Sequence, residues 1–335
     1  MKQDYRHALV FGLERGLLNL PSDADRWAMF NAVPLPHAPS GLISALVCEQ
    51  PFRPLFQELQ KAGYQVEPVL ADRLQDGYGA VIVCAGRDRR VNEFNIVRAW
   101  NWCKTGGSVI IAGDKTSGIS SLRKWAARFG NIADSFSKFH AMVFTVVKRG
   151  SEDIELPMLE RSADGYEMAE GMFSADGPDT GSSMLANHFS DRISGRVADL
   201  GAGWGFLSVE LLRRSGRIAS LSLFEADWHA LEAAKRNLKT ATCDLEFHWC
   251  DVTSEFRKTP YDWVVMNPPF HTGRAADPEL GKRFIAVAAS TLPAGGKLLM
   301  VANRNLPYEQ TLDAMFRGYE ILETGNGFKV IEARK

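Results

Sequence analysis

Tyr261-Asp-Trp-Val-Val-Met-Asn-Pro-Pro-Phe-His-Thr-Gly273 is an apolar run that stops against two prolines. Trp263 to Met266 has the unbroken hydrophobicity of a strand buried on both faces, as in a parallel sheet. Pro268 and Pro269 end it, because neither has a backbone N–H to give to a ladder. Open α/β sheets bind ligands at the carboxyl ends of their strands, so this corner predicts Asn267, a proline carbonyl and Phe270 at the mouth of a cleft. The Asn267 carboxamide oxygen and the Pro268 carbonyl are both acceptors and suit the two hydrogens of a planar NH2 group, while Phe270 offers a face for its ring. No general base is evident, so such a corner works by placement.

A second stretch lies upstream. Val197-Ala-Asp-Leu-Gly-Ala-Gly-Trp-Gly205 reads as a strand entering a glycine-rich turn, followed by a helix from Phe206 to Arg213. Glycines there let the backbone approach a ligand and expose helix N-terminal N–H groups. The third glycine falls one residue short of the dinucleotide pattern G-x-G-x-x-G, which argues against NAD. Asp199, before the turn, suits a cationic amino acid moiety. Glu225 ends the next apolar strand, where an acid can clamp both ribose hydroxyls, and Asp251 ends the one after, placed to accept from an adenine amino group. Singly, each acid is more often a surface carboxylate or helix cap; at the ends of successive strands before Asn267 they form a rim, which Ala202, Ala226 and Cys250 line.

Strand–helix alternation also runs through the first 150 residues, with strands expected at Gln65–Leu70, Ala80–Cys84, Ser108–Ala112 and Phe139–Val147 and helices at Leu55–Lys61 and Asn92–Cys103. This half overlays the other. Ser44–Glu49 resembles Ser222–Glu225, Glu67–Asp72 resembles Glu246–Asp251, Tyr78-Gly-Ala-Val-Ile-Val lines up with Tyr261-Asp-Trp-Val-Val-Met, and Gly106-Gly-Ser-Val-Ile-Ile-Ala with Gly295-Gly-Lys-Leu-Leu-Met-Val. Four correspondences in one order imply a duplicated α/β unit. After Val83 the first copy reads Cys-Ala-Gly-Arg-Asp, so it lacks the corner and is degenerate. The expected organisation is two tandem Rossmann-like domains, residues 1–150 and 181–335, joined by an acidic linker, 151–180. Just past that join Met184 to Phe189 reads as a short helix capped by Ser182 or Ser183.

Net charge is −1 over 335 residues, which by itself does not suggest a nucleic-acid binder. The division along the chain does. Residues 1–150 hold 19 Lys and Arg against 13 acids, residues 151–199 hold 3 against 11, and residues 200–335 hold 17 against 16. The amino-terminal excess gathers at Arg87, Arg89, Arg90, Arg98, Lys104, Lys115, Arg123, Lys124 and Arg128, a basic face fit for a phosphate backbone if the charges share one surface. The five cysteines form no C-x-x-C, and the histidines show no ligand spacing, so neither a disulfide framework nor a metal is expected. No stretch reads as a membrane span or signal peptide, so a cytoplasmic protein is expected.

Together these residues resemble the S-adenosylmethionine-dependent methyltransferases, whose sheet has seven strands with the last antiparallel. Tyr319–Glu323, a Gly325-Asn-Gly327 turn and Phe328–Ala333 are similar to its closing hairpin. Asn267-Pro-Pro-Phe-His271 followed by Gly273, with a degenerate first copy, resembles the ribosomal RNA guanine-N2 methyltransferases, in particular the small-subunit family RsmC. The resemblance covers both domains. It implies S-adenosylmethionine as cofactor, with Asp199, Gly201 and Gly203 at its methionine part, Glu225 at the ribose and Asp251 at the adenine. It implies Asn267, Pro268 and Phe270 at a guanine in RNA of the small ribosomal subunit, a nucleotide unstacked to reach Phe270. It implies an RNA-positioning first copy and, we expect, a monomer. Thr272 departs from the acidic residue usual there. The corner alone also suits a large-subunit RNA enzyme, adenine N6 or glutamine-amide methylation, or an RNA-binding assembly factor with a vestigial pocket.

Overall fold

The computed structural model describes residues 3–19, 26–71, 74, 76–156, 165–168, 177–257, 259–269, 271–272 and 275–335, excepting the side chains of 40, 271, 272, 275 and 276. The chain divides into two compact units, Met1–Met158 and Leu159–Lys335. The first runs α1 (Tyr5–Glu14), β1 (Trp27–Phe30), α2 (Ser40–Ala45), β2 (Leu46–Glu49), α3 (Arg53–Lys61), β3 (Gln65–Glu67), β4 (Tyr78–Cys84), α4 (Arg89–Trp102), β5 (Cys103–Asp114), α5 (Ile119–Ala126), β6 (Ile132–Lys138) and β7 (Ala141–Val147). The second runs α6 (Thr180–Ala186), β8 (Gly195–Leu200), α7 (Phe206–Arg214), β9 (Ile218–Glu225), α8 (Trp228–Asn237), β10 (Asp244–Trp249), α9 (Val252–Glu255) and β11 (Trp263–Met266). It continues through the two-residue strands β12 (His271–Thr272) and β13 (Ala275–Ala276) to α10 (Pro278–Thr291), β14 (Lys297–Asn303), α11 (Glu309–Met315), β15 (Gly318–Gly325) and β16 (Phe328–Arg334).

Each unit has a seven-stranded sheet, ordered β3-β2-β1-β4-β5-β7-β6 and β10-β9-β8-β11-β14-β16-β15, with β12 and β13 paired separately. Five strands pair in parallel in both, and the last strand of each unit, β7 or β16, is inserted antiparallel between the fifth of them and β6 or β15. The α/β fold, the duplication and the antiparallel last strand are therefore as expected. The central strands of the second unit are hydrophobic at almost every position because both faces are covered. Ala198, Leu200, Val264, Met266, Leu298 and Met300 pack in one core, while Val197, Val265, Leu299 and Val301 pack in the other. Asn326 and Gly327 both have positive φ, 51° and 83°, as the two-residue turn of a right-twisted hairpin requires.

Strand order reverses between β8 and β11, the place where open sheets leave a crevice. Val265 pairs with Asp199 there, which brings the end of the glycine-turn strand beside the strand that ends at Asn267.

Some expectations need correction. Strands β1 and β6 are additional to those expected from the sequence pattern, and β3 is shorter than Gln65–Leu70. Helix α6 is capped by Asp179, whose carboxylate accepts from the backbone of Gly181 and Ser182, rather than by Ser182 or Ser183. Arg98 does not belong to a basic face: it is buried at 8% exposure and its guanidinium pairs both nitrogens with Glu49, at 2.6 and 2.8 Å. The strand pairings of the overlay hold, but two alignments shift. Val81 pairs with Ala28 and Val109 as Val264 pairs with Ala198 and Leu298. Following that register, Phe30 lies beside Glu49 and Leu200 beside Phe224. Gln50 thus matches Glu225, and one strand further Leu70 rather than Asp72 matches Asp251; Asp72 itself lies outside the described residues.

Candidate active site

The glycine turn after β8 is held open by its backbone. Gly201 and Gly203 have φ of 74° and 55°, a region costly for any residue with a Cβ. A Cβ at Gly201 would meet the Phe284 ring at 3.4 Å and Pro269 Cδ at 3.9 Å, so the turn lies against the proline corner. At Gly203 the same atom would meet nothing within 4 Å among the described residues, which leaves room above the turn.

Asp199 is fully buried. Its Oδ2 accepts from Ser208 Oγ at 2.7 Å, whereas Oδ1 has no partner among the described residues. Burial, offset by Ser208 and reinforced by the nearby Glu225 charge, pushes its carboxyl from 3.8 up to about 7. A buried acceptor without a donor is costly, and a cationic ammonium satisfies both its geometry and its charge. Glu225 is held by two backbone donors: Gly203 N–H to Oε2 and Asp227 N–H to Oε1, both at 2.8 Å. Burial raises its carboxyl from the ordinary value while these donors pull it down. A carboxylate so oriented at the end of β9 has lone pairs remaining for two vicinal hydroxyls.

Asp251 caps α9. Its Oδ1 takes the Thr253 backbone N–H and hydroxyl, and Oδ2 takes Ser254 Oγ, all at 2.8 Å. Before it, the Cys250 N–H bonds the Glu225 carbonyl at 3.0 Å, which sets the two acids on neighbouring strand ends. Ala226 accepts from Trp249 Nε1 at 2.8 Å through its carbonyl, and Trp249 meets Trp228 edge-on at 5.2 Å. Trp204 turns the other way, against Tyr166 and Phe206.

Asn267 follows β11 directly and is half-buried. Its Nδ2 donates to Ser182 Oγ at 2.9 Å and faces both Asp179 oxygens at 3.3 Å. Pro268 and Pro269 follow it; Phe270, the expected stacking partner, lies outside the described residues, as do Gly273 and residues 157–164 and 169–176 of the linker. The structure therefore gathers Asp199, Gly201, Ala202, Gly203, Glu225, Ala226, Cys250, Asp251, Asn267 and Pro268 along the carboxyl ends of β8, β9, β10 and β11. Sequence reading gave Asp179 and Ser208 no part and Ser182 only that of a helix cap, although these residues hold Asn267 and Asp199. The signal was present in Asp179-Thr-Gly-Ser182, a short polar residue ahead of a helix, but it straddled the boundary between the stretch read as linker and the second domain.

Residues 166–332 match the family model described as the methyltransferase small domain. Over 245 residues the chain is 31% identical to the ribosomal RNA small subunit methyltransferase C of Escherichia coli strain K12, an alignment covering 72% of this chain and 71% of that protein. The chain belongs to the RsmC family. The counterpart from Shigella dysenteriae serotype 1 matches to the same extent, 31% over 245 residues, 72% of this chain and 71% of that one. A solved RsmC structure, the T. thermophilus 16S rRNA N2 methyltransferase in complex with AdoMet and guanosine, is similar with a TM-score of 0.81 at 25% identity, covering 98% of this chain and 92% of that one. The family resemblance read from the corner and the glycine turn is thus met by both comparisons. No described helix is long and apolar enough to cross a membrane.

Proposed function

We propose that this RsmC-family chain transfers a methyl group from S-adenosylmethionine to the exocyclic N2 of a guanine in 16S ribosomal RNA of the small subunit. The observation that carries the reading is the corner after β11, where Asn267 lies at the carboxyl edge of the sheet one strand from the orphaned Asp199 oxygen. Asp199 with Gly201, Ala202 and Gly203 would hold the methionine end of the cofactor, Glu225 and Ala226 the ribose, and Cys250 and Asp251 the adenine. When bound, S-adenosylmethionine supplies a methyl group activated by a sulfonium. The remaining work falls to the chain. The Asn267 carboxamide oxygen and the Pro268 carbonyl accept the two N2 hydrogens and fix that nitrogen in line. They also stabilise the positive charge that grows on it, a contribution of about 2.7–4 kcal/mol for one well-placed polar group. The stacking role falls to Phe270 on the family resemblance alone.

The first unit serves as the RNA-positioning part. Arg87, Arg89 and Arg90 follow β4 and Lys115 follows β5, all exposed. Lys138, exposed on β6, reaches the same carboxyl edge through the pairing of Ala141 with both it and Asp114. A ribosomal substrate is in keeping with a protein that works beside ribosomes in the cytoplasm.

The test is incubation with methyl-labelled cofactor and small subunits, large subunits or naked RNA, followed by nucleoside analysis. Label in N2-methylguanosine of the small-subunit RNA is the expected outcome. Label in large-subunit RNA, in N6-methyladenosine or in protein would replace this reading with one of its rivals, and absence of cofactor binding by titration calorimetry would leave only an assembly role.

A further inference from the structure

We propose that Asp179 and Ser182 are positioning residues that fix which end of the Asn267 side chain faces the substrate; this rests on the Asn267 role proposed above. A carboxamide presents an acceptor on one side and a donor on the other, and the two orientations differ little in shape. Only the oxygen-outward orientation can accept from an amine. With the nitrogen outward, two donors would oppose each other.

Asp179 breaks that symmetry. Its carboxylate is acceptor-only when ionised, so whichever amide atom faces it must be the NH2. Asn267 Nδ2 lies 3.3 Å from each of its oxygens and 2.9 Å from Ser182 Oγ. Among the described residues no donor reaches Asn267 Oδ1, which is left for the substrate amine. Asp179 itself is anchored: its Oδ1 accepts from the backbone of Gly181 at 2.9 Å and of Ser182 at 3.1 Å. The N-cap of α6 thereby sets the polarity of a residue 88 positions away.

The decisive variant is Asp179→Asn, because Asn caps a helix about as well as Asp and keeps α6 in place. The oxygen of the new amide keeps the cap bonds, so its nitrogen faces Asn267 and favours the reversed amide there. The expected result is kcat on small ribosomal subunits lowered about tenfold, with S-adenosylmethionine affinity by calorimetry within about twofold of wild type. Ser182→Ala, which removes the shorter bond but no charge, lowers kcat about threefold with the same unchanged affinity.

The exchange Asp179→Asn with Asn267→Asp separates orientation from folding. Asn267→Asp alone sets two carboxylates side by side. In the double variant the carboxylate at position 267 accepts in any rotation while the amide at position 179 donates to it, and the charge of the pair is unchanged. The double variant is expected to exceed Asn267→Asp at least tenfold in kcat, roughly the coupling of two groups in direct contact. A double variant no better than Asn267→Asp overturns the proposal, as does Asp179→Asn with wild-type kcat or with cofactor affinity lost in step with kcat. Asn267→Ala assayed alongside keeps the two readings apart. If it retains turnover, the site reading and this proposal fall together; if it is inactive while Asp179→Asn and Ser182→Ala turn over normally, the proposal alone fails.

Discussion

The two units share one strand order but differ at each acidic or amide position with which the second would touch its ligands. Following the strand register, Met29 stands for Asp199, Gln50 for Glu225, Leu70 for Asp251 and Cys84 for Asn267. Gln50 still occupies the slot of its acidic counterpart. Its Oε1 accepts from the backbone two residues on at 2.9 Å, as Glu225 Oε1 does, but its Nε2 donates to the Ala32 carbonyl in the loop after β1. The loop itself, Asn31-Ala-Val-Pro, has no glycine. Beside it the Glu49–Arg98 pair is buried under Phe30 and Trp102, with the guanidinium 4.4 Å from the Phe30 ring centre. The first unit has satisfied internally the groups that the second leaves for a ligand. A sheet keeps its topology when the apolar pattern survives, whereas a site is lost by a few substitutions at strand ends.

The sharpest way to break this comparison is to attack what stabilises the first unit. Arg98→Ala strands the Glu49 carboxylate in the core, and loss of one partner of a buried pair costs about 3–5 kcal/mol. Denaturant unfolding should show that loss, with S-adenosylmethionine affinity of the second unit unchanged. A loss under about 1 kcal/mol, the range of exposed ion pairs, would mean the pair is solvated and the first unit is not closed.

Next in size is the paired test at the equivalent corner positions. Asn267→Ala should lower kcat by about 10²–10³ with cofactor affinity retained. Cys84→Ala, at the matching place, should leave kcat unaltered, because burial pushes that thiol up to about 12 and its environment offers no chemistry. Equal effects from both would show that the corner is structural in either unit.

Most of the fold was legible because the second unit announces its strands by uninterrupted apolar runs and its turns by glycine and proline. Trp263–Met266, the Gly201–Gly205 turn and the Asn326-Gly327 hairpin each carry a local reason for their shape. The first strand of the first unit was not legible: Trp27–Phe30 is as hydrophobic as its counterpart, but no glycine turn follows to mark its end. The site was legible only in residues that point to a ligand. Ser208, Asp179 and Ser182 act through other side chains, and such pairings depend on which elements meet in space. The 88-residue separation of Asp179 from Asn267 leaves no trace in spacing. Arg98 was misplaced for the same reason, since charge counted along a chain does not say which arginine meets a buried acid.

The smallest contrast concerns a single carboxyl with no counterpart in the first unit, where Met29 cannot titrate. Asp199→Asn preserves shape and the Ser208 contact but removes the charge a cationic cofactor would meet, and should weaken S-adenosylmethionine about 10- to 100-fold. In wild type the carboxyl is raised from 3.8 to about 7. The folded protein therefore keeps a proton that the unfolded chain has released, and only between those two values. Stability of the ligand-free protein should fall as pH rises through that window and level off above about 7. Affinity should move the opposite way, since the ionised carboxylate is the binding form: about tenfold weaker near pH 6 than near pH 8. Asp199→Asn should flatten both profiles and unfold at a higher temperature than wild type at about pH 8. Calorimetric titrations across that range decide it. An affinity that stays level in wild type would mean that Asp199 is already ionised or never meets a cation, and the second unit would then differ from the first by less than its register suggests.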